Sequence, residues 1–188
     1  MSDKEVKVAV SGRLIGGGIF EKRNKGEVTD DDDPKGRYSA CVVLDKGEEA
    51  KIDKIIANAI DNKWGDDRPG KIVQWGVRDG DDPEYEVSFG NKFINPKATR
   101  QPALVARVGG ERMQITPDST PTLYPGCYVK VAVSAYCMEG TKEFKPTVTL
   151  NLRGIAFLRD GERLGDSFDE DEFGEFESET DDVEDLLG

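Results

Sequence analysis

Residues 127–137 read CYVKVAVSAYC, and residues 147–161 read TVTLNLRGIAFLRDG. Successive side chains of a strand point to opposite faces, so each stretch sorts by parity. Cys127, Val129, Val131, Val133, Ala135 and Cys137 form an apolar face, with Tyr128, Lys130, Ala132, Ser134 and Tyr136 opposite. In the second stretch Val148, Leu150, Leu152, Ala156 and Leu158 are expected inward, and Thr149, Asn151, Arg153, Ile155, Phe157 and Arg159 outward. Such alternation over two long runs predicts a half-exposed antiparallel sheet. The outward set interleaves rings with cations. In sequence-tolerant single-strand binding, bases stack on rings while cations follow the phosphates. Tyr128, Lys130, Tyr136, Arg153 and Phe157 are therefore candidate nucleic-acid contacts.

The rest of the chain supplies shorter strands. EVKVAVSG alternates, RYSACVVL is a β-branched run, and KIVQWGVR and EYEVSFGNKF follow. PALVARV and ERMQI flank Gly109-Gly110, which predicts a hairpin. One helix stands out, over about 48–63. Ile52, Ile55, Ile56, Ala59 and Ile60 recur at helical spacing and make a single apolar stripe, so this helix is expected to plug a core. Glu48 and Glu49 open it, and Gly65 follows its end.

Charge divides the chain in two. The whole sequence holds 38 acids and 26 bases; 12 of the acids, and none of the bases, lie in residues 166–188. Residues 1–165 are therefore neutral, and the last 23 residues hold the entire net charge of −12. We expect one folded domain over 1–165 and a disordered acidic tail over 166–188. As a flexible chain the tail would span roughly 25–30 Å, enough to reach its own domain's surface and compete there with phosphates. Phe168, Phe173, Phe176, Leu186 and Leu187 add apolar anchors for partners, which a purely solubilising tail would not need. Within the neutral part, Lys92–Arg163 has 11 bases and 6 acids. Lys92, Lys97 and Arg100, in NKFINPKATRQP, are expected at the rim of the binding face.

Composition excludes several classes. With no histidine, Ser–His and Cys–His catalysis cannot exist. Cys41, Cys127 and Cys137 have no CxxC spacing, so no zinc site is expected and reduced thiols in a cytoplasm fit best. No stretch approaches a membrane span, and MSDKEVKVAV lacks the pattern of a secretory leader. The acid runs at Asp30–Asp33 and at Asp79, Asp81 and Asp82 lack calcium-loop spacing, and acids beside Gly and Pro read as solvated turns. No cofactor or metal is expected. A binding protein rather than an enzyme is the reading. Two alternatives are a metal-dependent nuclease built on the Asp clusters and an acidic DNA mimic or chaperone. Neutrality of the folded part opposes the mimic, whose acid should cover its folded surface.

Three segments, FGNKFINPKATRQP, LYPGCYVKVAVSAYCMEG and TLNLRGIAFLRDGERLGDSFDEDEF, resemble those of a family of phage single-stranded DNA-binding proteins, formerly a phage family of unknown function. RYSACVVLDKGEEAKIDKIIANAIDNKWG fits the same pattern. The resemblance runs from about Arg37 to Phe173, and the long loop GGGIFEKRNKGEVTDDDDPKG stands outside it. It implies a mainly β, OB-like antiparallel barrel, binding of single-stranded DNA in phage replication or recombination in the host cytoplasm, and an acidic C-terminal arm that contacts a polymerase, helicase or primase.

Overall fold

The computed structural model describes residues 6–80 and 91–165. Its backbone is the pair of long strands expected from the sequence, labelled below β12 (Tyr128–Met138) and β13 (Thr147–Arg159). Before them come β1 (Lys7–Gly16), a small hairpin of β2 (Arg23–Asn24) and β3 (Glu27–Val28), then β4 (Tyr38–Ser39) and β5 (Cys41–Leu44). Helix α1 (Glu49–Trp64) follows, then β6 (Val73–Trp75), β7 (Arg78–Asp79), β8 (Lys92–Ile94) and β9 (Lys97–Ala98). The β10 (Ala103–Val108) and β11 (Glu111–Gln114) strands form the hairpin expected at Gly109-Gly110. EYEVSFGNKF lies largely outside the described residues; its last part begins β8.

Pairing runs antiparallel from β13 to β12 to β1 to β5 to β8. The chain then breaks at Asn95 and the fully buried Pro96 and continues as β9, which meets β13 in parallel, with Lys97 opposite Asn151. That contact brings the far edge of the sheet back to β13. The result is the OB-like barrel of five principal runs, elaborated by short strands.

The core lies inside this ring. Val10, Leu14, Val42, Ile94, Val129, Val131, Val133 and Val148 are fully buried in it. The helix closes one end, with Ile52, Ile55, Ile56, Ala59 and Ile60 buried as the stripe predicted. Each buried isoleucine contributes about 1.5–3 kcal/mol of burial free energy, so the stripe fixes the helix against β12 and β1.

Two features depart from the parity reading. On β12, Ser134 is fully buried, not exposed. Its small side chain sits on a central strand between Lys7 and Asn151, directly across on the two flanking strands. On β13 the alternation reverses after Leu152. The register jumps from Ala132 opposite Gly154 to Val133 opposite Leu152, leaving Arg153 as the extra residue of a β-bulge. One inserted residue exchanges the faces beyond it. Ile155 is therefore buried and Phe157 packs partly buried against the core, while Ala156 shares the outer face with Lys130 and Leu158 is exposed.

Candidate nucleic-acid interface

Beside the seam where β9 meets β13 lie three neighbouring hollows. The first is lined by Gly17, Gly18, Arg23, Asn24, Lys25, Gly26, Lys35, Arg37, Ser39, Asn95 and Lys97. The second, of about 410 Å³, shares Asn95 and Lys97 with it and adds Trp75, Gly76, Arg78 and Thr149. The third continues from Ala98 to Pro102 and includes Arg100, Asn151 and Arg153. Together they form a trough whose walls hold eight cations: Arg23, Lys25, Lys35, Arg37, Arg78, Lys97, Arg100 and Arg153. Among the described residues no Asp or Glu lines any of the three.

The cations are held there by the backbone. Arg23 and Arg37 sit opposite each other in an antiparallel bridge, and Arg37 Nη1 donates to the carbonyls of Pro34 and Gly36, each at 2.7 Å. Lys97 is fixed between Ser39 on β4 and Asn151 on β13. Arg153 projects from the bulge. Trp75 lies opposite Thr149 on β13, and Thr149 lies opposite Tyr136 on β12. The two residues therefore flank Thr149 on either side, on strands about 10 Å apart at the usual strand spacing. Trp75 is 50% exposed and Tyr136 52%, and the Arg78 guanidinium lies 4.4 Å from the Trp75 ring centre.

The loop over 17–37 carries six acids alongside its bases; Glu21 pairs with Arg23 at 3.3 Å, and several of the others serve the loop's backbone. Asp33 accepts the Lys35 backbone N–H at 2.8 Å, chiefly this bond holding its carboxyl below the ordinary range. Asp31 accepts the Tyr38 hydroxyl at 3.2 Å, and the Asp31 carbonyl accepts the Lys22 ammonium. Burial and the Asp31 bond push the Tyr38 hydroxyl upward. The aspartates thus serve the loop's own turns. Of the second acid run, Asp79 is exposed on β7 and Asp81 and Asp82 lie outside the described residues.

The opposite end of β12 is built differently. Tyr124 donates its hydroxyl to Asp160 at 2.6 Å and accepts the Gly161 N–H at 3.1 Å, while Arg163 lies 4.3 Å from its ring centre. The Tyr128 ring has Arg159 at 4.0 Å and Arg13 at 5.7 Å. Arg13 also donates to the carbonyls of Gly126 and Glu162. Gly126 has φ 112°, and a Cβ there would stand 1.9 Å from the Glu162 oxygen, so only glycine allows this approach. The two motifs YPGCYV and FLRDGERLG are thus one structure, a clasp that ties residues 160–164 to the start of β12.

The expected contacts divide accordingly. Lys97, Arg100 and Arg153 line the trough, with Tyr136 beside it. Tyr128 belongs to the clasp, its ring already attended by two guanidiniums. Lys130 is exposed between Ser11 and Ala156, and near enough to Glu48 to help lower that carboxyl, after the larger effects of Lys51 and the Ser11 N–H. Lys92 is exposed on β8 opposite Asp79, off the trough. Phe157 is a correction, since the bulge at Arg153 turns its ring toward the core. The tail residues Phe168, Phe173, Phe176, Leu186 and Leu187 lie outside the described residues. Trp75, Arg78, Arg23, Lys25, Lys35 and Arg37 were not singled out from the sequence. The signal for Trp75 was a tryptophan in the outward phase of KIVQWGVR; for the loop bases, the acids among them cancelled the count.

Burial raises the Cys41 thiol to about 11 and also raises Cys127, so both are poor nucleophiles at neutral pH. No helix among the described residues is long and apolar enough to cross a membrane.

Comparison with known proteins adds an independent line. A family model described as Enterobacter phage Enc34, ssDNA-binding protein, matches residues 18–187. A putative protein p50 of Acyrthosiphon pisum secondary endosymbiont phage 1 is 28% identical over 137 residues, covering 67% of this chain and 71% of that protein. The single-stranded DNA-binding protein from bacteriophage Enc34, solved in complex with ssDNA, is similar in fold with a TM-score of 0.62 at 19% identity, over 87% of this chain and 91% of that one. The single-stranded DNA-binding protein gp2.5 of bacteriophage T7 gives 0.56 at 12% identity, over 92% and 96%.

Proposed function

The chain belongs to the family of the Enterobacter phage Enc34 ssDNA-binding protein, and from that premise we propose that it is a phage single-stranded DNA-binding protein whose strand follows the trough. The observation that carries this is eight cations along three neighbouring hollows, lined by no carboxylate among the described residues, with two half-exposed rings beside them. Phosphates are neutralised by the cations, and bases stack on Trp75 and Tyr136, each ring contributing about 1–3 kcal/mol. Neither interaction reads a base edge, so binding tolerates any sequence. The work is positional and electrostatic, and needs no catalytic group.

The acidic segment 166–188 completes the proposal. Its 12 carboxylates compete with DNA phosphates for the trough, and DNA displaces them. The displaced segment then offers Phe168, Phe173, Phe176, Leu186 and Leu187 to a polymerase, helicase or primase during replication or recombination in the host cytoplasm. Equilibrium titration with single- and double-stranded oligonucleotides, with and without magnesium, tests the reading. Tight, salt-sensitive binding of intact oligo-dT is expected. Magnesium-dependent cleavage would instead support a nuclease.

A further inference from the structure

The β10–β11 ribbon carries Arg107 directly opposite Arg112. Paired Cβ atoms in such a ribbon stand about 4.5–5.5 Å apart, and like charges facing each other there are destabilising. The arrangement cannot relax by slipping. Val108 faces Glu111 across the two-residue turn Gly109-Gly110, with φ 60° and 85°, the left-handed pair that a tight hairpin turn requires. Among the described residues no carboxylate pairs with either arginine; Glu111, the nearest along the ribbon, faces Val108. Arg107 Nη1 reaches only the Gly110 carbonyl, at 3.5 Å; two guanidiniums set side by side by the register without a carboxylate partner are a site for an anion, and their planar forks suit a phosphodiester.

The ribbon also continues the trough. Arg153 adjoins Gly154, which pairs with Ala103; Val105 pairs with Ala156. On this outer face Ala103, Gly154, Val105 and Ala156 make a low floor of small groups. It leads from Arg100 and Arg153 to the arginine pair, a rise of about 17 Å over five residues. Exposed Val108 and Leu158 stand at its far end.

We propose that Arg107 and Arg112 form a second phosphate site, which takes single-stranded DNA as it leaves the trough past Arg153. This rests on the trough being the DNA path, and it makes binding depend on strand length. OB folds cover roughly 4–16 nucleotides, so oligo-dT of about 6 residues fills the trough alone and about 20 residues reaches the ribbon. The test compares wild type with Arg107→Ala/Arg112→Ala, and with Arg107→Gln/Arg112→Gln, which keeps more of the side-chain bulk on this exposed hairpin, by fluorescence anisotropy over a salt series. On the 20-mer, losing two phosphate contacts should flatten the log–log salt slope by about 1.4, at about 0.7 per phosphate. Affinity and slope on the 6-mer should stay unchanged. An unchanged slope on the 20-mer, or an equal loss on both lengths, overturns the site. Failure of the wild type to bind the 6-mer would strike the trough reading instead.

Discussion

The barrel presents aromatic rings beside arginines at both ends of β12, and the two ends are opposites in character. At the Tyr136 end, Tyr136 and Trp75 are each about half exposed beside the cations of the trough, with Arg78 against the Trp75 ring. At the Tyr128 end, some 27 Å away along the strand at 3.3–3.4 Å per residue, the rings are occupied. Tyr128 has Arg13 and Arg159 against it, and Tyr124 is hydrogen-bonded to Asp160 and Gly161. Ring-plus-cation composition is the same in both places. What separates the two ends is how much of each ring stays in solvent and whether its hydroxyl and flanking cations tie remote segments of the chain together.

This contrast can be broken at either end. The largest effect should come from reversing charge in the trough. Lys97→Glu with Arg153→Glu removes two charge-assisted phosphate contacts, each of about 1.5–3 kcal/mol, so oligo-dT affinity at low salt should fall by about 100-fold or more. Retained affinity would move the DNA elsewhere. Tyr136→Ala comes next, with about 1–3 kcal/mol of binding lost and the thermal midpoint little changed, because half of the ring is in solvent.

Removing residues 166–188 should strengthen binding several-fold at low salt. That gain should shrink at physiological ionic strength, where the screening length is about 8 Å. Equal affinities of full-length and shortened protein at low salt would leave the acidic segment no competitive role. Smallest is Tyr124→Phe in the clasp. It deletes the hydroxyl bonded to Asp160, costing about 1 kcal/mol of folding stability with DNA affinity unchanged. A drop in affinity there would join the clasp to the DNA path.

Much of the fold was legible because burial imposes period. Val129, Val131 and Val133, and Ile52 to Ile60, could occupy only an inner face and a helix stripe. The Gly109-Gly110 turn was equally readable, since few residues tolerate two consecutive left-handed positions. The bulge at Arg153 was not. An inserted residue leaves no mark in an alternating pattern that resumes with Ile155 and Phe157 in the other phase, and so Phe157 was expected outward. The site was legible only in part. Lys97, Arg100 and Arg153 belong to a segment with a basic excess, whereas Arg23, Lys25, Lys35 and Arg37 are interspersed with Glu27 and Asp30–Asp33. Segment charge there sums to nearly nothing, and only the folded loop brings these four bases to one hollow. The arginines against Tyr128 were hidden for the converse reason, since they come from residues 13 and 159, remote from each other in the chain.

The central claim is that DNA runs past Trp75 and not past Tyr128. Titrating labelled oligo-dT into Trp75→Ala and Tyr128→Ala side by side, with melting curves for each, tests it most directly. Trp75→Ala should lose about 1–3 kcal/mol of binding and keep its thermal midpoint. Tyr128→Ala should melt lower while binding within about twofold of wild type, a difference below about 0.4 kcal/mol. The larger loss of affinity in a folded Tyr128→Ala protein would contradict the account.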